Sequence, residues 1–241
     1  MDARANTEFG LGILRPMCEA VLDAYGDGDE LASSLGGVYF AFKSVKFVYR
    51  IHDELMSEPA LLYDGNGDEA GYFAETMVRA LHSSGDLLAR AIVKCGYAEG
   101  NYITRLTYEN DTDGLQPLVD KLLGTDAWDY LSAFTNTSKH NAFIDRTSLS
   151  SDDYKSHQIL FQQFDYHGTS HEARSFDAVL DCAGRLRDAE LSVLYWLMDH
   201  APPESPAKRE PAGTETRISP LTASFTAPST SAFHGRPYEA P

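Results

Sequence analysis

From Leu35 to Met56 the positions Leu35, Val38, Phe42, Val45, Tyr49, His52 and Met56 follow one another in unbroken alternating steps of three and four. That spacing keeps one side chain per turn on a single helix face, and over about six turns it describes the seam of a helix packed nearly parallel to a neighbour. The same alternation recurs in Met77, Leu81, Ser84, Leu88, Ala91 and Cys95, and again in Val179, Cys182, Leu186, Ala189, Val193 and Trp196. A shorter run, Leu14, Met17, Cys18, Val21 and Tyr25, stops at Gly26-Asp27-Gly28-Asp29, where paired glycines and aspartates favour a turn. Long helices with one apolar face each can hide those faces only against one another. The chain is therefore expected to be mainly α, a four- to five-helix antiparallel bundle over 11–200 with a small β-hairpin before the last helix.

Between these helices the sequence is punctuated by turns. Asp64-Gly65-Asn66-Gly67-Asp68 reads as a chain reversal; it resembles a calcium loop only in composition, because its glycine spacing is wrong and the twelfth-position acid is missing. Tyr102 to Tyr108 is compatible with a short strand or a helical turn. Leu115 to Leu123 is a short amphipathic piece closed by Gly124, and Thr125 is placed to cap a helix starting at Asp126. Ser148 to Asp153 reads as a solvated loop. His157 to Tyr166 reads as a strand with a change of face between Phe161 and Phe164, and His167-Gly168-Thr169 as the hairpin turn, giving a β-hairpin at about 157–175. Residues 1–10 read as a flexible lead-in, and the Pro/Ser/Thr-rich 201–241 is expected to be a disordered tail, since such a composition buries too little apolar surface to offset ordering entropy.

A formal net charge of −16 bears on partners. Proteins that neutralise a phosphate backbone present a basic stripe, so RNA is admitted only through a local site, and a protein partner or homodimer is the expected class. No run approaches eighteen apolar residues and the start lacks the pattern of a signal peptide, so no membrane role is expected and the cytoplasm is the expected compartment. Cys18, Cys95 and Cys182 lie far apart within helical patterns and read as free buried thiols.

The densest polar cluster falls in Asp126 to Arg146, DAWDYLSAFTNTSKHNAFIDR, which reads as one helix carrying Asn136, Lys139, His140 and Asn141. On a wheel, Ala127, Leu131, Phe134 and Ser138 form one face, whereas Asp129, Asn136 and His140 lie within about 60° on the other. One reading is a solvated face whose Lys139 and Arg146 complement the helix dipole. The other makes His140 a general acid or base, with Asn136, Lys139 and Asn141 holding phosphate, provided that something covers the face.

The Asn-x-x-Lys-His run at 136 to 140, late in a chain of antiparallel helices, resembles the HEPN superfamily of all-α bundles. That resemblance implies two kinds of activity. Many members are metal-independent ribonucleases or components of toxin and phage-defence systems, while others are non-catalytic nucleotide-binding or dimerisation domains. The family motif places an arginine before the polar residue, and here that position is Thr135. The expected function is a HEPN-like interaction or dimerisation domain, with a ribonuclease using His140 as the alternative.

Elsewhere the chemistry-bearing residues do not converge. His52 lies on a helix seam and reads as a hydrogen-bonded core residue, and His82 lies off the seam of its own helix. His157, His167 and His171 span a turn and read as a surface hairpin rather than a metal site. No glycine-rich phosphate loop, nucleophile elbow or metal-ligand spacing is found, so no metal and no cofactor is expected.

Overall fold

Helices form where the apolar spacing places them, and they end at residues that leave helical geometry. The computed structural model describes residues 11–26, 28–57, 66–108, 114–140, 144–150 and 157–202; the lead-in 1–10 and the tail beyond 202 lie outside the described residues. Helix α1 spans Leu11–Tyr25, α2 Asp29–Ser57, α3 Asn66–Lys94, α4 Leu115–Leu123, α5 Asp126–His140 and α6 Phe176–Asp199. Gly26, at φ 100°, stops α1 in the left-handed region that glycine enters without penalty. Helix α3 begins at Asn66, inside the stretch read as a turn, and Asp64 and Gly65 lie outside the described residues. The described chain is mainly α.

Helices α2 and α3 run against each other along their length, α5 and α6 pack on α3, and α1 and α4 pack on α6. Their seams meet in one core: Leu35, Val38, Phe42 and Val45 of α2, Met77, Leu81 and Leu88 of α3, and Val179, Leu186 and Val193 of α6 are all buried. Each such side chain contributes roughly 1.5–3 kcal/mol by leaving water. Trp128 of α5 sits where α3 has no side chain, since a Cβ on Gly85 would stand 2.5 Å from the indole ring.

A carboxylic acid lies inside this core. Glu190 of α6 is fully buried, and its Oε1 lies 2.6 Å from Ser84 Oγ of α3. Ser84 Oγ also lies 2.7 Å from the Leu81 carbonyl oxygen, but a hydroxyl has one proton to give. The pattern closes if Ser84 donates to Leu81 and a protonated Glu190 donates to Ser84. Burial pushes the Glu190 carboxyl up to about 8, against a weaker lowering by Ser84, which keeps it neutral at pH 7.

The β-structure is small. Strands β1 (Ala98–Glu99) and β2 (Thr107–Tyr108) pair across a 3-10 turn at Ile103–Arg105, so the segment left open between strand and helical turn contains both. Strand β3 (Arg146–Ser150) pairs antiparallel with β4 (His157–Phe161) from Arg146↔Phe161 to Ser150↔His157. The expected loop there is a strand through Ser150, because β4 supplies the backbone partners that its short polar sequence does not advertise. Strand β5 (Phe164–Tyr166) pairs with β6 (Thr169–His171), and β7 (Arg174–Ser175) adds to β4. The single strand expected over His157 to Tyr166 is thus two strands: the chain leaves one sheet at Phe161 and enters another at Phe164. His167 at φ 50° and Gly168 at φ 79° make the two-residue turn whose twist suits a hairpin.

His52 ties the helices to this sheet. It is buried, stacks on Phe176 at 3.9 Å and accepts a 3.3 Å hydrogen bond from the Ile159 amide through Nε2. Burial lowers its pKa to about 4, so it is the neutral, hydrogen-bonded core histidine that its seam position suggested.

Candidate functional site

Helix α5 is fixed at its start by two devices. Thr125 Oγ1 accepts from the Trp128 amide at 3.1 Å, the expected cap. Arg174 of β7 donates to Asp126 at 2.7 Å and lies 4.1 Å from the Tyr130 ring centroid, and this guanidinium holds the Asp126 carboxyl below its usual range. Along the helix Ala127, Trp128, Tyr130, Leu131, Ala133, Phe134, Thr135 and Thr137 are all buried. Neighbours therefore cover most of its circumference, and a strip through Asp129, Ser132, Asn136, Lys139 and His140, with Asp126 at the start of the helix, reaches the surface.

Helix α5 is described as far as His140, and Ile144 and Asp145 are no longer helical, so it stops short of the Arg146 that the sequence suggested. Arg146, read as part of its last turns, belongs to β3 instead, and Asn141 lies outside the described residues. Lys139 and His140 are exposed. They occupy the last described turn, where the Lys139 ammonium complements the helix dipole. Asn136 is half-buried, and its Nδ2 turns back to Ser132 Oγ of the same helix at 3.5 Å. Among the described residues no hydrogen bond or ion pair orients the His140 ring. An acid or base that must meet a reacting atom needs such an orienting partner.

Thr135 is fully buried. An arginine at that position would carry its guanidinium into the core rather than onto the strip. A cation reaches the end of α5 from another element. Arg79 of α3 approaches the Ser138 carbonyl at 3.4 Å and pairs with Glu75, which also lies 3.5 Å from Arg146. Gly71 makes room for that second contact, because a Cβ there would stand 2.9 Å from the Arg146 side chain. His82 stacks on Trp128 at 5.1 Å, and burial, with Lys139 nearby, lowers its pKa. Sequence reading missed this convergence of Glu75, Arg79 and Arg146. The i, i+4 spacing of Glu75 and Arg79 was visible, but their meeting with α5 and β3 is tertiary.

The larger of the described cavities, about 460 Å³, lies elsewhere, between the start of α2 and the end of α3, where Lys94 pairs with Glu30. None of Asn136, Lys139 and His140 lines it. No helix among the described residues is long and apolar enough to cross a membrane, and no group of three or more His, Cys, Asp or Glu among them is placed to hold a metal ion. Comparison with family models, curated proteins and solved structures finds no match for this chain.

Proposed function

We propose that the chain is a non-enzymatic helical-bundle interaction or dimerisation domain of HEPN-like type, of the kind that serves defence or toxin systems in the cytoplasm. The observation that carries this reading is the state of the strip on α5: His140 and Lys139 stand in solvent, and the Asn136 amide turns to its own helix. Catalysis by an imidazole requires it to be aimed and partly desolvated, and neither condition is supplied by the described residues around it. The free thiols Cys18 and Cys182, both buried, suit a reducing compartment.

The ribonuclease reading keeps one observation in its favour. Arg79 brings to the Ser138 carbonyl near the end of α5 a guanidinium that Thr135 does not provide, and guanidinium is the better phosphate ligand than the Lys139 ammonium. Glu75 neutralises part of that charge. The two readings separate on incubation of the wild-type protein and His140→Ala with single-stranded RNA in EDTA. The expected result is no cleavage by either; cleavage by the wild type that disappears in a folded His140→Ala protein overturns the interaction-domain reading.

A further inference from the structure

Helix α2 carries a second stripe that its core seam does not use. Phe40, Lys43, Phe47 and Arg50 recur at steps of three, four and three, within about 80° of arc and along about 15 Å of axis. Phe40 and Phe47 are 40% and 49% exposed, and beside them on α3 Tyr72 is 64% exposed. Phe73 links the two helices, edge-on to Phe47 at 6.4 Å and to Tyr72 at 6.0 Å. Large aromatic rings left in water side by side on two rigid, packed helices are the anchors expected of a protein-docking surface.

The charge on this face is opposite to that of the molecule. Between Glu30 and Asp53 the chain has no acidic residue, while it carries Lys43, Lys46 and Arg50, in a protein with 36 acids against 20 lysines and arginines. Lys43 Nζ lies over the Phe40 ring at 5.2 Å and the Arg50 guanidinium over Phe47 at 6.0 Å. Among the described residues, exposed acids return at the edges, as Asp53 and Glu54 on α2, with Glu54 3.8 Å from Arg50, and as Glu69 three residues before Tyr72.

We infer that this face of α2 and α3 docks an acidic amphipathic helix of a partner protein, its apolar side chains against Phe40, Phe47 and Tyr72 and its carboxylates on Lys43 and Arg50. The inference deepens the interaction-domain reading and rests on it. A second copy of the chain fits less well, because a two-fold pairing of this face sets Lys43 and Arg50 against the same cations of the other copy. Single-stranded RNA also fits less well. Base stacking needs open ring faces, and here a cation lies over each phenylalanine, on a protein whose overall charge repels a polyanion. A partner helix needs only the ring edges and the cationic heads, which are presented at helical spacing.

The test uses the full chain and a fluorescein-labelled helical peptide with leucines at three- and four-residue spacing and glutamates elsewhere, followed by anisotropy in about 150 mM salt. The expected result is saturable binding that weakens at least about tenfold for a scrambled peptide of the same composition. It should weaken as much for Phe47→Ser and for Lys43→Glu with Arg50→Glu, both with unchanged circular dichroism and melting. No binding, or equal binding to these variants, overturns the inference. So does binding of oligouridylate that the same substitutions abolish. A wild-type dimer in sedimentation that Phe47→Ser dissolves also overturns it while leaving the interaction-domain reading standing; RNA cleavage dependent on His140 removes that reading instead.

Discussion

Replacing Glu190 by Gln should make this protein more stable at neutral pH, and the gain should disappear in mild acid. The carboxyl is fully buried beside Ser84, and burial raises it from 4.5 to about 8. For an acid with a raised folded pKa, stability is fully present below pH 4.5, where both states are protonated. It falls as pH rises toward 8, because the unfolded chain releases a proton that the folded chain retains. At 1.36 kcal/mol per unit the penalty is below about 1 kcal/mol at pH 5 and about 3 kcal/mol at pH 7. Glutamine keeps the shape and a donor for Ser84 but cannot ionise. Its second N–H adds a pH-independent cost of about 1 kcal/mol if it is left unpaired. Urea denaturation of both proteins between pH 4.5 and 8 reads the difference directly, since every other titrating group is common to them. The reasoning is refuted if the stability difference stays constant across that range, or if the wild type gains on the variant as pH rises.

Two further perturbations probe the supports of the site. His52→Phe removes the acceptor of the Ile159 amide and should cost about 1–3 kcal/mol at pH 7. The wild type should also lose stability as pH falls from 6.5 through about 4, since the unfolded chain takes up a proton that buried His52 refuses; parallel acid profiles for the two proteins would show the histidine to be solvated. Gly85→Ala places a methyl 2.5 Å from a rigid indole ring and should lower stability by about 1–3 kcal/mol with a shift in tryptophan emission, whereas an unchanged melting temperature would mean that Trp128 does not sit on α3 as described.

Helix positions were legible because each helix advertises its buried face locally. The seams of α2, α3 and α6 predicted most of the side chains that enter the core, although Tyr49, Cys95 and Ala189 on them stay half-buried, and Thr125 predicted where α5 begins. The sheet was less legible. Strand β3 is five residues long, with nothing but pairing to β4 to make it a strand, and the break between Phe161 and Phe164 exists because the two halves pair with different partners. Glu190 was missed for a related reason. It stands four residues after Leu186 and three before Val193, on a core line, yet a charged residue reads as surface until its surroundings are known.

The candidate site divides in the same way. Sequence alone determined that Asn136 and His140 share a strip of α5 opposite its apolar face, because helical periodicity is a local property. Whether that strip is covered was decided by the tertiary structure, since it depends on which elements pack beside it. Those neighbours bury Thr135, leave Lys139 and His140 in water, and bring Arg79 to the Ser138 carbonyl near the end of the helix from a segment far away in the chain. The exposed stripe of α2 obeys the same rule. Its spacing was present in the sequence, but the outward aspect of Phe40 and Phe47 exists only because α3 and the core take the other side of the helix.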